Sequence, residues 1–183
     1  MNTATTATQK LSLQFPTSLV LDTGSGETTG EIPWDLFHQV QEKCRNLSLE
    51  LLLGDMALLF IRCPEIDSLT FVAEESFESN DQGGFVNSYD ITLSGELNAP
   101  ICRKIAWPGF ADNQLDLESV EDNDQLQEAL YDAIVCDGDV SDAAKAVTDS
   151  GGEQFTLKRT DIADLLAKPE LDLSDIRKRI KFE

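Results

Sequence analysis

The run LSLELLLGDMALLFI from Leu47 to Ile61 is the longest apolar stretch in the chain, and it restricts the fold more than any other segment. So many neighbouring Leu, Met and Phe side chains have to leave water together. Ser48, Glu50, Gly54 and Asp55 interrupt the run. It therefore falls short of the roughly 18 apolar residues that a membrane span requires, and a core element is expected instead. Two readings fit: a helix followed by a strand, or two short buried strands. Gly54-Asp55 is the expected joint.

Periodicity around this run predicts a mixed architecture. Leu11, Leu13 and Phe15 alternate with polar residues, and Leu19-Val20-Leu21 makes a second β-like run. From Ile32 the period changes: Trp34, Phe37, Val40 and Cys44 recur at helical spacing after Pro33, which predicts a helix of about three to four turns. Leu69 to Phe77 and Phe85 to Leu97 alternate around Asn80-Asp81-Gln82-Gly83-Gly84, as a β-hairpin should. Residues 98 to 110, with Pro100, Trp107, Pro108 and Gly109, read as an irregular crossing. Beyond them, Leu126, Ala129, Leu130, Ala133 and Ile134 form one apolar helix face, with Asp122 or Asp124 as its cap. A short helix is expected at Asp142 to Val147, a strand at Phe155 to Leu157 and a helix at Thr160 to Leu166. A last helix through Leu171, Leu173, Ile176 and Ile180 takes Ser174 as its cap and ends in a basic turn, Arg177 to Lys181.

Charge divides the chain unevenly. The net charge is -20 over 183 residues, yet residues 110 to 153 hold 13 acidic residues and one basic, while residues 154 to 183 hold six acidic and seven basic. A surface this acidic repels phosphates, so direct binding of nucleic acid or anionic lipid is disfavoured. General adaptation to high salt would spread the acid and deplete lysine, but eight Lys remain.

Motifs for chemistry are sparse. The segment LVLDTGSG, Leu19 to Gly26, resembles the active-site signature of aspartic proteases, and Leu52-Leu53-Gly54 resembles the apolar-apolar-Gly element that supports that site. The resemblance implies Asp22 as one of two carboxylates sharing a proton, the second supplied by a homodimer. It covers about eight residues, and D-T-G-S is also ordinary turn chemistry. A helix from Trp34 to Cys44 stands where the family has strands. His38 is the sole histidine, with no local partner for a catalytic triad. Gly24, Gly26 and Gly30 lack the continuation of a phosphate-binding loop. Asp137-Gly138-Asp139 begins like a calcium loop, but Asp142 occupies the glycine position and Thr148 the glutamate position. Cys44, Cys63, Cys102 and Cys136 are spaced neither as a zinc site nor as a secreted disulfide framework, and reduced, mostly buried thiols are expected. The first ten residues show no basic start leading into an apolar block, so a cytoplasmic location is expected.

These readings predict an α+β protein in which a small antiparallel sheet with packed helices is followed by a helix-rich acidic portion. Residues 1 to 10 form a flexible lead-in, 11 to 109 an α+β body, and 110 to 183 the acidic portion, which can be continuous with the body. The expected function is non-catalytic protein binding without a cofactor or metal, through Asp112, Asp116, Glu118, Glu121, Asp122, Asp124, Glu128, Asp132, Asp137, Asp139 and Asp142. Carboxylates at fixed spacing can stand in for backbone phosphates, so the expected partner is the basic surface of a nucleic-acid-binding protein. Small acidic inhibitors of phages and plasmids, which mimic DNA and block restriction or RNA-guided nucleases, resemble this chain in size and charge. The alternatives are a peptidase built on Asp22 or a soluble structural protein with no mimicry.

Overall fold

The computed structural model describes residues 34–79, 85–107, 114–136 and 140–183. The expected lead-in, the two runs between Leu11 and Leu21 and the Asp22-Thr23-Gly24 segment lie outside them. The apolar run resolves into neither of its two expected forms: it is the second half of a continuous helix, α1 (Trp34–Arg62). Leu49, Leu52, Leu53, Met56, Phe60 and Cys63 are all buried, at intervals of one, three and four residues. That is one face of a helix. Leu47, Leu51, Leu58 and Ile61 fill positions off this face and hid its period in the sequence. Gly54 costs a helix interior about 1 kcal/mol relative to alanine, too little to break a helix whose whole side is buried. The protease-like Leu52-Leu53-Gly54 is thus helical.

Pro64 stands two residues beyond the end of α1, and two arginines from distant segments take up carbonyls left over there. Arg103 donates to the Arg62 carbonyl and holds the Glu65 carboxylate with two nitrogens. Arg159 donates to the carbonyls of Cys63 and Ile66, its guanidinium 5.1 Å from the centre of the Phe60 ring. Burial pushes the Cys63 thiol up to about 11, so this cysteine is an unreactive core residue.

The chain then forms the expected hairpin, β1 (Ile66–Ser79) against β2 (Phe85–Leu97), in unbroken register from Ser68 opposite Glu96 to Ser79 opposite Phe85. Strand β5 (Gln154–Lys158) pairs antiparallel with the other edge of β1, giving the order β2-β1-β5. Leu69, Phe71, Ala73, Leu93, Phe155 and Leu157 are buried on one face. The other face carries hydroxyl pairs, Thr70 with Thr156 at 2.9 Å and Ser76 with Ser88 at 2.7 Å. The free edge of β5 is covered by the C-terminus, where Phe182 bridges to Phe155 and the Glu183 carbonyl accepts from the Glu153 and Gln154 amides.

Residues 98 to 110, read from sequence as irregular, contain strand β3 (Ile101–Ala106), which pairs antiparallel with β4 (Gln114–Val120). Their buried residues alternate, Ile101, Ile105 and Trp107 along the first strand and Leu115 and Leu117 along the second, and the register Ile105 opposite Leu115 puts these side chains on one shared face. Helix α2 (Asn123–Leu130) runs into a π-helical turn at Tyr131–Cys136. Asp122 caps α2 by accepting from the Gln125 amide, one of the two caps expected. The apolar side of α2 lies over β2. At Gly95 a Cβ would come within 2.7 Å of Leu126 Cδ2, so glycine permits the close approach.

Helix α3 (Ser141–Asp149) buries Ala143, Ala144, Ala146 and Val147, small side chains that allow close packing on α1. After β5 come a 3-10 turn at Arg159–Ile162, α4 (Ala163–Leu166) and α5 (Leu173–Arg177). Asp172, not Ser174, caps α5: its carboxylate accepts from the amide and hydroxyl of Ser174. Arg177 ties α5 to α1 through Asn46 at 2.7 Å. The result is an α+β fold with antiparallel sheets of three and two strands and helices against them. No helix among the described residues is long and apolar enough to cross a membrane.

Candidate functional site

The eleven carboxylates singled out from the sequence do not share one situation. Asp112, Asp137 and Asp139 lie outside the described residues. Asp116 and Glu118, two apart on β4, project on the same exposed side, where the Lys104 ammonium of β3 lies 3.1 Å from Asp116 and 3.9 Å from Glu118. Asp116 is held below the usual carboxylate range, first by the Glu118 amide that donates to it and then by Lys104. These two acids already have a cation. Asp122 is exposed but occupied as the α2 cap. Asp142 is exposed in the first turn of α3, on a separate element.

Glu121, Asp124, Glu128 and Asp132 are different. All four are exposed, and none forms an ion pair among the described residues. Helical geometry explains the grouping. Leu126, Leu130, Ala133 and Ile134 are buried. Asp124, Glu128 and Asp132 follow one another at four-residue intervals on the opposite side, about 6 Å of helix rise per step. Between Gln114 and Cys136 the sequence has no Lys or Arg to interrupt them. Like charges at this spacing cost a helix about 0.2–0.5 kcal/mol per pair. Asp132 also sits near the negative end of the helix dipole, where a carboxylate is disfavoured. The row is thus retained against a local cost.

One aromatic belongs to this face. Tyr131, 44% exposed, lines with Asp124, Gln127 and Glu128 an open depression of about 290 Å³. It stands at the start of the π-helical turn, a local irregularity frequently found at functional sites. Sequence reasoning passed over Tyr131, although its position three residues after Glu128 on the polar side of α2 was legible.

The other chemical candidates are dispersed. Cys44 and Cys102 are exposed and Cys63 is buried, which corrects the expectation of mostly buried thiols. His38 is exposed near the start of α1. Among the described residues no group of His, Cys, Asp and Glu is arranged to hold a metal. Asp55, pushed up to about 6 by burial, lies alone on α1 beside buried Met56 and Gly54. The described face thus offers negative charge with one phenol and no nucleophile. No protein-family model, no curated protein and no solved structure matches this chain.

Proposed function

We propose that this protein is a non-catalytic binding protein that docks through the outward face of α2 to the basic surface of a nucleic-acid-binding protein, occupying it in place of nucleic acid. The observation that carries the reading is the row Asp124, Glu128 and Asp132, with Glu121 beside it, exposed and without a paired cation among the described residues. A helix that keeps like charges in line has a use for them outside itself. Spaced carboxylates steer a basic partner by long-range attraction and fix its register on contact. Tyr131 adds an amphipathic ring of the kind enriched in protein interfaces.

The test is capture of a partner from host lysate at low and high salt, with the intact chain and with Glu121→Gln, Asp124→Asn, Glu128→Gln and Asp132→Asn combined. The expected result is a partner retained at low salt, released by high salt, displaced by added duplex DNA and lost with the neutralised chain. Equal retention by both chains, or indifference to competing DNA, overturns the proposal.

A further inference from the structure

Strand β5 is in register with β1 only from Ser68 to Val72, so from Glu74 to Ser79 the hairpin continues, among the described residues, as two strands over about 20 Å. Side-chain parity assigns its faces. Leu126 of α2 lies against Gly95, which is opposite Leu69, and Leu69, Phe71 and Ala73 are buried on that side. Glu75 and Phe77 keep the same parity along β1. They therefore stand on the α2 side of the sheet but past the end of the core, where Glu75 is exposed and Phe77 is 68% exposed.

Phe77 and Tyr131 are the exposed aromatic side chains among the described residues, and both belong to acidic surroundings. Tyr131 lines its depression with Asp124 and Glu128. Phe77 belongs to a stretch, between Arg62 and Arg103, that has eight acidic residues and no Lys or Arg. The exposed aliphatic side chains, Leu47 and Leu51, lie on α1 instead.

This combination discriminates between two kinds of basic groove. Duplex DNA presents phosphates and base edges to a protein, while its ring faces are stacked out of reach. A single strand presents phosphates and ring faces together, and the grooves that hold it combine a basic track with aromatic platforms on which bases stack. Carboxylates alone would suit either groove. Exposed rings among carboxylates have a counterpart only in the second.

We infer, on the basis of the docking proposed at α2, that the partner is a protein that binds single-stranded nucleic acid. Phe77 and Tyr131 stack on its aromatic or arginine platforms in the place of bases, and Glu75, Asp124 and Glu128 take the place of phosphates.

The partner captured from host lysate on the full chain at low salt is challenged with an oligonucleotide and, separately, with the same oligonucleotide annealed to its complement. The single strand should release it at about tenfold lower nucleotide concentration than the duplex. A duplex that competes equally well overturns the inference and leaves docking at α2 standing. Indifference to both, or no partner captured, overturns docking and the inference together. Ring substitutions supply the second measurement. Phe77→Leu keeps an apolar side chain without a ring face and should weaken binding about tenfold, Tyr131→Leu by a similar factor, while Phe77→Trp should retain it. Thermal melts should match the native chain, because both rings are exposed. Native affinity in Phe77→Leu overturns the inference, as does an equal loss from Leu51→Ala on α1, which should leave binding unchanged.

Discussion

Carboxylates on α2 and carboxylates in the C-terminal segment are the same chemical group in opposite circumstances. Near the C-terminus, Asp164 lies 3.0 Å from Arg179, and Asp175 lies 2.8 Å from Lys178 and 3.8 Å from Lys168. The Lys178 ammonium holds the Asp175 carboxyl below its ordinary range, and Asp175 holds Lys178 above its own. At the α2 face no such cation among the described residues forms an ion pair with Glu121, Asp124, Glu128 or Asp132. Acid that is compensated locally serves the fold at most modestly. Acid left uncompensated in a row costs the helix stability and is available to something outside it. Total charge alone would have treated the two regions alike.

The largest expected effect would break this comparison if it failed. Neutralising the four carboxylates of the α2 face, Glu121, Asp124, Glu128 and Asp132, should weaken partner binding about 100-fold at low salt, within the range of electrostatic steering, while Asp164→Asn with Asp175→Asn should leave binding unchanged. Titration of the captured partner with each variant measures both. Equal losses from the two sets would reduce the α2 row to bulk charge.

Asp55 sharpens the contrast as a carboxylate with little water and no ion pair among the described residues. Its pKa is pushed up to about 6 by burial, above its unfolded value of 3.8, so folding favours the protonated form. The burial penalty is absent below about pH 4, grows as pH rises from there to about 6 and is constant above it. Asp55→Asn should therefore stabilise the fold by on the order of 2 kcal/mol at pH 7 and have little effect at pH 3.5. Denaturant unfolding at the two values decides it. Asp175 has the opposite sign: its lowered pKa contributes stability at neutral pH that is lost on acidification through the folded-state value. Asp175→Asn should lower the melting temperature at pH 7 and not in strong acid.

A fourth prediction concerns how firmly the α2 row is held. Gly95→Ala introduces a methyl 2.7 Å from Leu126 Cδ2 and 3.1 Å from the Ser68 carbonyl, and should cost about 1–3 kcal/mol by overpacking. Amide exchange should quicken in α2 before α5. Uniform quickening would mean that Gly95 supports the whole sheet and not the seat of α2. The smallest effect distinguishes the two acid classes directly. Glu128→Gln relieves two like-charge neighbours and should stabilise the fold by about 0.4–1 kcal/mol. Thermal melts at low salt would show it, and a loss of stability would mean that Glu128 has a structural contact.

Much of the fold was legible where one period ruled alone. Alternation from Leu69 to Phe77 and Phe85 to Leu97 marked the hairpin, and Leu126, Leu130, Ala133 and Ile134 marked the buried side of α2 and its continuation. The length of α1 was not legible, because leucines on both sides of the helix erased its period and Gly54-Asp55 imitated a joint. Strands β3 and β4 carried a signal that was passed over. Ile101, Arg103, Ile105 and Trp107 alternate with Cys102, Lys104 and Ala106, and Leu115 and Leu117 alternate with Asp116 and Glu118. Proline and glycine beside the first and acid around the second drew the reading toward irregularity. At the candidate site, the exposed side of α2 followed from its apolar side, but the partner of Asp116 and Glu118 did not.

The sequence by itself determined the uneven distribution of charge, the antiparallel hairpin and the amphipathic α2, because these depend on residue types and on spacings of two, three and four. Tertiary structure decided which acids acquire a cation from a distant segment. Lys104 reaches Asp116 because β3 and β4 pair, and Arg179 reaches Asp164 because the chain turns between α4 and α5. It also decided that β5 completes the sheet beside β1, more than 80 residues earlier, with β2 at the other edge among the described residues. Coulombic attraction and strand pairing act through space over a few ångströms, and no periodicity along the chain encodes which distant segment arrives there.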